Sequence, residues 1–353
     1  MKTKVFNVIG LERENLRAAE VFREPAAIET VEDAYEKIRQ AAEVIKRGGL
    51  VAFPTETVYG IGADAFNEDA VGRVYEAKGR PSDNPMIVHI ARASDAGLLA
   101  SSISSDAVKL ADALWPGPLT MVLPKRGEVP YRVTGGLDTV GIRMPDSPIA
   151  LALIRLAGTP VAAPSANISG RPSPTKAEHV IADLEGKVDM ILAGPECRVG
   201  IESTVVDMTT EPPRVLRPGV VTRNDIETIL EKPVETADSS ADDTGAPRAP
   251  GMKYRHYAPK AQMLVIEGAR EKVRSEIVRL KALNEGLGLK VGVVLFEERD
   301  YLTAAHDFYA ALRAHDENGA DLILAGAMPE TDGVGFAVMN RMLKAAGYNI
   351  ARV

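Results

Sequence analysis

Short apolar runs recur along this chain of 353 residues, and each run is bounded by glycine, proline or small polar residues. Up to about residue 232, the runs are LVAFPT, MIVHIA, LTMVLP, TPVAAPS, DMILAG and STVVDM. Runs of this length between turn residues indicate buried strands, and helical stretches separate several of them. This alternation predicts a mixed α/β domain in the first part of the chain.

The clearest helical stretch precedes the first of these strands and has the sequence TVEDAYEKIRQAAEVIKRGG. Its apolar face carries Ile38, Ala41, Ala42 and Ile45. We expect Thr30 and Asp33 to form a capping arrangement at its start. Gly48 and Gly49 are expected to end it.

The composition changes between Glu235 and Pro259, where ETADSSADDTGAPRAPGMKYRHYAP has no apolar periodicity and predicts a linker. Beyond it, MLVIEG, KVGVVLF and ADLILAG predict strands that alternate with helical stretches, which is typical of a small, Rossmann-like parallel α/β domain. We therefore predict a large domain at 1–234, a linker at 235–260 and a small C-terminal domain at 261–353.

The formal net charge of the chain is −7, and its pI is about 5.5. A protein that holds nucleic acid by bulk electrostatics needs a concentrated basic face, so this charge argues against that class. A local basic groove for a nucleotide remains open, because it needs only a few well-placed cations and backbone N–H groups.

No apolar run reaches the roughly 18 residues that a membrane-spanning helix needs. The N-terminal residues MKTKVFNVIGLERENLRAAE carry charges where an export signal would be apolar, so we expect a cytoplasmic location and no membrane association. The single cysteine, Cys197, excludes an intramolecular disulfide and a cysteine-based metal cluster. Its flanking residues match no nucleophile motif, and we interpret it as structural.

Polar residues suited to binding and catalysis are concentrated in short segments rich in proline and glycine, next to the predicted strands. These segments are PTETVYGIGADAF (54–66), KGRPSDNPMIVHI (78–90), WPGPLT (115–120), VGIRMP (140–145), PSANISGRPSP (164–174), GIEST (200–204) and LRPG (216–219). A Walker A motif is absent, and GIGADA lacks the full dinucleotide-binding fingerprint. Loops that join strands bring distant residues to one rim of a sheet, so we expect these segments to meet.

These segments supply cations and neutral hydrogen-bond donors in a mixture suited to carboxylate and phosphate oxygens. The cations are Lys78, Arg80, Arg143 and Arg217, and the neutral donors are Ser82, Asn84, Ser165, Asn167 and Ser173. Taken one at a time, such arginines are more often surface ion pairs that contribute little to stability.

In this order along the chain, PTET, KGRPSDNP, PGPLT, IRMP, PSANISG and GIEST resemble the motifs of the YrdC-type threonylcarbamoyl-AMP synthase family. The linker sequence PGMKYRHYAP and the C-terminal extension further resemble the long form of that family. The resemblance covers nearly the whole chain and depends on several long, specific motifs. It implies a large, twisted mixed sheet with a concave active-site cleft, followed by the smaller C-terminal domain.

The same resemblance implies a reaction in two stages. Threonine is carboxylated by bicarbonate to a carbamate, whose oxygen then attacks the α-phosphorus of ATP and releases pyrophosphate. The expected partners are therefore ATP, L-threonine and bicarbonate, and the product is expected to pass to a tRNA threonylcarbamoyl transferase. Mg²⁺ is expected to arrive with ATP, because no dedicated metal-ligand cluster stands out in the sequence.

The family pattern assigns the functional residues to three groups. The catalytic tetrad is Lys78, Arg80, Ser165 and Asn167. The nucleotide side consists of Arg80, Asn84, Thr139, Ser165, Ser173 and Arg217, and we add His256 and Tyr257 of the linker to it. The threonine side consists of Thr57, His89, Arg143, Ala163 and Ser203. No argument from the sequence fixes a role for Glu56.

Several of these positions have a second interpretation. The segment 165–167 also fits a plain turn, and the alternation in MIVHIA also fits His89 as a buried, hydrogen-bonded core histidine. Arg143 also fits a surface ion pair, although its two parallel donors match a carboxylate better than a lysine would. Ser173, which precedes a proline, predicts an N-cap for a helix over 174–184 that directs its positive end toward phosphate.

The segment MKYRHYAP differs from a plain spacer because it combines aromatic and cationic residues. We predict a lid over the cleft, hinged at Gly245 and Gly251 and formed by Lys253, Tyr254, Arg255, His256 and Tyr257. Such a lid would protect a reactive mixed anhydride from water, with the C-terminal domain as its anchor. The alternative is that these residues only dock the two domains.

Two other classes of function are compatible with the sequence. The fold that the resemblance implies is associated with a concave basic surface, which fits a double-stranded RNA-binding module and weak RNA binding, although the acidic net charge disfavours it. Larger hydrogenase-maturation enzymes use a related domain to transfer carbamoyl groups to a protein. They carry zinc-finger segments, for which this chain lacks the cysteines.

Overall fold

The computed structural model describes residues 1–11, 25–237, 249–250, 256–297, 299–328 and 333–353. Within these residues the chain forms one large sheet with parallel and antiparallel pairs, and one small sheet whose strands are all parallel. The prediction of a mixed α/β fold with a second, smaller parallel α/β part is confirmed. The boundaries given above for the domains and the linker stay predictions.

The large sheet contains eleven strands within the described residues. They are β1 (Lys4–Asn7), β2 (Val51–Phe53), β3 (Gly60–Asp64), β4 (Ile87–His89), β5 (Leu119–Pro124), β6 (Thr139–Arg143), β7 (Val161–Ala162), β8 (Met190–Ala193), β9 (Thr204–Asp207), β10 (Arg214–Arg217) and β11 (Glu235–Thr236). Their spatial order is β1-β8-β2-β3-β7-β4-β6-β5-β9-β10-β11. Each apolar run that predicted a strand in this part of the chain contains one of them.

Helices pack on both faces of this sheet. They are α1 (Pro25–Lys46), α2 (Glu68–Lys78), α3 (Ser105–Leu114), α4 (Tyr131–Thr134), α5 (Pro148–Ala157), α6 (Ala177–Leu184) and α7 (Arg223–Leu230). Along β2, Ala52 packs in one apolar cluster with α2, whereas Val51 and Phe53 pack in a second cluster with α1 and α5. This alternation is expected of a strand that is buried on both faces.

Helix α1 confirms the amphipathic helix predicted before β2, but its predicted start is wrong. The helix begins at Pro25, so Thr30 lies inside it, and Asp33 forms an ion pair with Lys37 one turn later. Proline is favoured at the first helical position because its φ angle is already helical and its missing N–H is not needed there. The predicted end is confirmed, because the helix ends at Lys46 and Gly48 adopts a φ of 76°.

The centre of the large sheet fixes the relative positions of two polar residues. β4 and β6 pair in parallel, with His89 opposite Arg143 at the C-terminal ends of both strands. Parallel strands that end at the same edge of a sheet present their last residues and following loops to one crevice. The loop between the antiparallel strands β2 and β3, which contains PTETVY, lies at the same crevice.

The small sheet consists of β12 (Gln262–Glu267), β13 (Val291–Val294), β14 (Leu322–Gly326) and β15 (Ile350–Arg352), in the order β13-β14-β12-β15. Its helices are α8 (Arg270–Gly286), α9 (Tyr301–Glu317) and α10 (Gly333–Ala345). One apolar cluster joins the two parts of the molecule, because Val58 and Ile201 pack in it together with Tyr257 and Phe308. The small sheet is therefore docked on the large one through buried apolar surface.

The backbones of the two parts approach each other closely at Gly200. A Cβ atom at this position would lie 2.3 Å from the carbonyl oxygen of His306 in α9, and the φ of Gly200 is 81°. Side chains are disfavoured at such a φ, and here no space for one exists. Residue 200 must therefore be glycine for α9 to dock as it does.

We predict that Gly200→Ala lowers the free energy of unfolding more than Gly319→Ala does. Both glycines have a positive φ, but a Cβ at Gly319 would meet nothing within 4 Å. The control should therefore lose only the roughly 1–2 kcal/mol of backbone strain. Gly200→Ala should lose about 1–3 kcal/mol more, because the new methyl group pushes α9 away. Equal losses in urea unfolding of the two variants would contradict this account of the domain contact.

Candidate active site

A cavity of about 60 Å³ lies where the ends of β4 and β6, the loop after β2 and the end of the linker meet. The predicted site residues that line it are Thr57, Arg80, His89, Arg143, Ala163, Ser165, Ser203, Arg217, His256 and Tyr257. The predicted site residues that lie outside its lining are Lys78, Asn84, Thr139, Asn167 and Ser173. The structure thus brings segments from both ends of the large domain and from the linker to one place.

Arg143 is buried in the wall of this cavity and is not a surface arginine. Its Nη1 donates to Thr57 Oγ1 at 2.9 Å, and its Nε donates to the carbonyl of Gly117 at 3.3 Å. Nη2 lies 2.7 Å from Glu56 Oε2 in an ion pair that lacks hydrogen-bond geometry. Thr57, Gly117 and Glu56 therefore hold the Arg143 guanidinium in one fixed position in the wall.

His89 lies beside Arg143 and is also buried. Its ring meets Phe53 edge-on with the centroids 6.3 Å apart. Its Nδ1 makes no hydrogen bond of good geometry, although the carbonyls of Ile87 and Val161 lie near the ring. Burial, reinforced by the charge of Arg143, lowers the pKa of His89 to about 3, so the ring is neutral near pH 7.

Ser203 and Arg217 form a second buried part of the wall. Ser203 Oγ lies 2.8 Å from Thr120 Oγ1. Arg217 donates to the carbonyl of Ser203 from Nε at 3.1 Å and from Nη2 at 2.9 Å, and Nη2 also reaches Ser203 Oγ at 3.2 Å. Arg217 Nη1 donates to the carbonyl of Pro250 in the linker at 3.4 Å. Arg217 therefore connects β10, the GIEST segment and the linker.

Arg80 is a partly buried cation held by the segment that follows it. Its Nη2 donates to Asn84 Oδ1 at 2.7 Å and to the carbonyl of Pro85 at 2.8 Å. Burial lowers the pKa of Arg80 to about 10, which leaves it charged at neutral pH. Asn84 is buried beside Arg80 and orients it.

The remaining members of the predicted tetrad form a hydrogen-bonded turn. Lys78 Nζ donates to the carbonyls of Ser165 at 2.5 Å and Asn167 at 2.6 Å. Ser165 Oγ donates to Asn167 Oδ1 at 2.6 Å, and Asn167 Nδ2 donates to the carbonyls of Ile168 and Arg171. Burial, followed by the charge of Arg80, lowers the pKa of Lys78 well below its usual value. Lys78 and Asn167 thus support the loop from behind, and Ser165 faces the cavity.

Ser173 does not cap a helix, so that part of the sequence prediction is wrong. Helix α6 begins at Ala177, and its N-cap residue is Lys176. Ser173 stands directly before Pro174, and a residue before proline is disfavoured in the helical conformation. Its Oγ instead donates to Glu202 Oε1 at 2.6 Å.

Thr139 lies away from the cavity lining. It is the first residue of β6 and Arg143 is the last, which separates their Cα atoms by about 13 Å at the rise of a strand. Thr139 pairs with Pro124 of β5. Its assignment to the nucleotide side stays a prediction.

The linker contributes Pro250, His256 and Tyr257 to the cavity wall. The ring of Tyr257 lies against His256 at 5.5 Å and against Tyr309 of α9 at 5.4 Å between centroids. Burial, followed by the charge of Arg80, lowers the pKa of His256 to about 3. The other predicted lid and hinge residues, Gly245, Gly251, Lys253, Tyr254 and Arg255, lie outside the described residues.

Glu202 also lines the cavity and was not among the predicted site residues. It accepts hydrogen bonds from Ser173, from Tyr309 of α9 and from Arg341 of α10. Burial opposes its ionisation, but the charges of Arg341 and Arg217 and these hydrogen bonds outweigh it and hold the pKa of Glu202 at about 2. The sequence signal that could have identified Glu202 is that it is the acidic residue of GIEST, whose other residues are uncharged. Two of its partners, Tyr309 and Arg341, lie more than a hundred residues away in sequence.

Three further observations concern metal ligands, membrane-spanning helices and the cysteine. Among the residues that the structure describes, no group of three or more His, Cys, Asp or Glu side chains is arranged to hold a metal ion. No helix in the described ranges is both long and apolar enough to cross a membrane. Cys197 is buried, and burial raises the pKa of its thiol well above the usual value, which agrees with a structural role.

Two family models match the chain. One is described as "Telomere recombination" and matches residues 43–219. The other is described as "Threonylcarbamoyl-AMP synthase, C-terminal domain" and matches residues 221–347. Every cavity residue from Thr55 to Arg217 lies in the first match, and the helices that contact Glu202 lie in the second.

Full-length relatives are similar over most of their sequence. The threonylcarbamoyl-AMP synthase of Pyrococcus abyssi is 50% identical over 337 residues, which cover 90% of this chain and 96% of that protein. The enzyme of the same name from Bacillus subtilis is 47% identical over 333 residues, covering 90% and 94%. Among solved structures, P. abyssi Sua5 complexed with L-threonine matches with a TM-score of 0.89 at 46% identity and covers 99% of this chain and 100% of that chain.

The buried histidines predict that the folded state loses stability as the pH falls below neutral. The pKa values of His89 and His256 are lowered to about 3 and that of His179 to about 4, in each case chiefly by burial. Below about pH 6.5 the unfolded chain takes up protons at these residues that the folded chain does not. Each histidine should therefore contribute up to about 1.4 kcal/mol of lost stability per pH unit.

This is tested by urea unfolding between pH 8 and pH 5 for the unaltered protein and for His89→Gln. The variant should show a shallower loss between pH 6 and pH 5, since one titrating group is gone. Between pH 7 and pH 8 the two slopes should nearly agree, because His89 is mostly neutral in the unfolded state and neutral in the folded state there. Parallel slopes over the whole range would contradict the lowered pKa of His89.

Proposed function

The chain belongs to the threonylcarbamoyl-AMP synthase family in its long form, and we propose that its cavity makes threonylcarbamoyl-AMP and pyrophosphate from L-threonine, bicarbonate and ATP. The observation that carries this proposal is the clustering of Arg143, Arg80 and Arg217 in one cavity wall. A reaction that joins a carbamate to a phosphate must bring two anions together, and fixed cations lower the barrier to that approach.

Arg143 is the proposed partner of the threonine carboxylate. Its guanidinium lines the cavity and is held in place by Thr57 and Gly117. The P. abyssi relative was solved with L-threonine, which supports a threonine site in this fold. The neutral ring of His89 beside Arg143 adds a polar contact without a second charge. The threonine hydroxyl and amine are the groups that such a contact would suit.

The proposed contact between Arg143 and the threonine carboxylate has a chemical consequence. If Arg143 holds the carboxylate, the amine is the group left to react with bicarbonate, which gives a carbamate and water. A carbamate oxygen then forms a bond to the α-phosphorus of ATP, and the bond from that phosphorus to the bridging oxygen breaks and releases pyrophosphate. Arg80 and Arg217 are placed to neutralise the phosphate charge that this approach concentrates.

The loop at 165–167 presents Ser165 to the nucleotide in this proposal. Its geometry is fixed by Lys78, which takes up two carbonyls of the loop, and by the side chain of Asn167. We therefore propose that Lys78 and Asn167 act on the reaction through the loop, whereas Arg80 and Ser165 contact the substrates. Functional loops of this kind need a rigid support for accurate positioning.

The linker supports the proposal of a lid. A single water needs about 10–15 Å³ on this measure of volume, so a cavity of about 60 Å³ has room for a few water-sized groups and not for ATP. ATP must therefore enter by displacement of part of the wall. His256 and Tyr257 are wall residues of the linker, and they belong to no strand or helix. His256 lies near Arg80, and the ring of Tyr257 packs against Tyr309. Tyr257 also packs in the apolar cluster between the two domains. The two interpretations of the linker, as a lid and as a contact that docks the domains, are therefore compatible, because a closed lid would place Tyr257 in this cluster.

We further propose that Mg²⁺ enters as the complex with ATP. Among the described residues that line the cavity, Glu202 is the acid, and its carboxylate already accepts hydrogen bonds from Ser173, Tyr309 and Arg341. The protein therefore offers no free carboxylate here, and phosphate oxygens and water would supply the ligands.

We expect the protein to act in the cytoplasm and to pass its product to a tRNA threonylcarbamoyl transferase.

The alternative of a double-stranded RNA-binding module is not favoured. Arg143 and Arg217 are only 4% and 5% exposed, so neither can reach the phosphates of a duplex from inside the cavity. Binding to a duplex would depend on exposed cations and would weaken steeply with salt.

The proposed reaction is tested by the release of pyrophosphate from ATP. We expect release only when both L-threonine and bicarbonate are present, because the carbamate is the group that attacks ATP. Omission of either co-substrate, in buffer freed of carbon dioxide, serves as the control. Pyrophosphate release that ignores either co-substrate would contradict the proposal.

We predict that Arg143→Lys impairs the use of threonine more than the binding of ATP. Lysine keeps the charge but loses the fork of donors, and a charge-assisted hydrogen bond contributes roughly 1.5–3 kcal/mol, or about ten- to a hundredfold in kcat/KM for threonine. The matched control is Arg198→Lys, because Arg198 is 62% exposed and pairs with Asp146 outside the cavity wall. Weakened ATP binding with an unchanged threonine dependence would contradict the assignment of Arg143 to the threonine carboxylate.

A further inference from the structure

The carboxylate of Glu202 is held by residues from three parts of the chain. Its Oε1 accepts a hydrogen bond from Ser173 Oγ at 2.6 Å and from the Tyr309 hydroxyl at 3.0 Å. Its Oε2 accepts from Arg341 Nε at 2.8 Å and from Tyr309 at 2.9 Å. Glu202 itself is 6% exposed. A buried carboxylate with this many donors has one well-defined position, because each donor restricts its rotation.

Arg341 makes further contacts that fix the backbone around the cavity. Its Nη1 donates to the carbonyl of Pro218 at 2.8 Å, and its Nη2 donates to the carbonyl of Glu202 at 3.2 Å. Arg341 is 0% exposed and lies outside the cavity lining. One guanidinium from the C-terminal domain thus joins the segments 200–204 and 216–219.

The residues next to these contacts are those that face the cavity. Ser203 directly follows Glu202, and Arg217 directly precedes Pro218. Both line the cavity, and Arg217 bonds the carbonyl of Ser203. A shift of either segment would move a threonine-side residue and a nucleotide-side residue together.

We propose that Arg341 and Tyr309 are positioning residues for the reaction, and that they act through Glu202 to set the places of Ser173, Ser203 and Arg217. The C-terminal domain is then part of the active-site framework, although neither residue touches a substrate. This inference rests on the function proposed above. A displacement of about 1 Å in a site of this kind is sufficient to slow a reaction about a hundredfold.

A second buried ion pair provides the matched control for domain docking. Arg313 of α9 donates to the carbonyl of Pro172 at 2.7 Å and to Asp183 Oδ2 at 2.8 Å. Like Arg341, it is buried and reaches from the C-terminal domain to the large domain. Neither Arg313 nor Asp183 lines the cavity. Loss of Arg313 leaves Asp183 paired with Arg171 and leaves every hydrogen bond to the carboxylate of Glu202 in place, so it should weaken docking but keep the position of Glu202.

The test compares Arg341→Met with Arg313→Met in the full chain, with kcat and both KM values measured at a temperature at which each variant is folded. Arg341→Met should lower kcat at saturating substrates by about a hundredfold. Arg313→Met should stay within about threefold of the unaltered protein. Equal kcat values for the two variants would overturn the proposal, because docking alone would then explain both.

A double variant separates positioning from stability. In Arg341→Met the carboxylate of Glu202 is left buried without its charge partner, and adding Glu202→Gln removes that charge. The double variant should regain thermal stability but not kcat. Recovery of both would show that Arg341 is needed only for stability and would overturn the inference.

Tyr309→Phe keeps the proposal testable if Arg341→Met does not fold. This change removes one hydroxyl, leaves the ring on Tyr257 and leaves Ser173 and Arg341 bonded to Glu202, and it should lower kcat about five- to tenfold. An unchanged kcat would overturn the role of Tyr309. If the unaltered protein itself releases no pyrophosphate with threonine and bicarbonate, the proposed function fails instead, so the two failures are distinguishable.

Discussion

The buried carboxylate of Glu202 is the interaction on which the arrangement of the two domains depends. A carboxylate that is 6% exposed is tolerated only if it is paired and fully hydrogen-bonded. The large domain supplies Ser173, and the C-terminal domain supplies Arg341 and Tyr309. The charge at the cavity floor is therefore satisfied only when the domains are docked, and docking in turn holds Tyr257 of the linker against the cavity.

The second constraint is the parallel register of β4 and β6. It places His89 and Arg143 side by side at the strand ends, where a sheet presents its last residues to a crevice. Burial makes His89 neutral, whereas Arg143 remains fixed by Thr57, Gly117 and the nearby Glu56. The result is a wall with one anchored cation, Arg143, and two further cations, Arg80 and Arg217. We propose a carboxylate as the ligand of the first and phosphate as the ligand of the other two.

The sequence predicted the parts of this structure that depend on local patterns. The short apolar runs located β4 and β9, and the segments that resemble the synthase family contain Thr57, Arg80, Arg143, Ser165 and Ser203 of the cavity wall. Local signals failed where a distant partner decided the outcome. Ser173 looks like a helix cap from its neighbours but bonds Glu202, and Glu202 bonds Arg341, which is 139 positions away. Thr30 failed for another reason, because α1 begins at Pro25 and continues through it.

The central claim is that the cavity holds the carboxylate of threonine on Arg143 and leaves its nitrogen to become the carbamate that attacks ATP. Mass spectrometry of the adenylate made from ATP, threonine and ¹³C-bicarbonate tests this directly. The account predicts an adenylate that carries the bicarbonate carbon and still has a free threonine carboxylate. An unlabelled adenylate joined through the carboxylate of threonine would contradict it, because Arg143 could not then be holding that group.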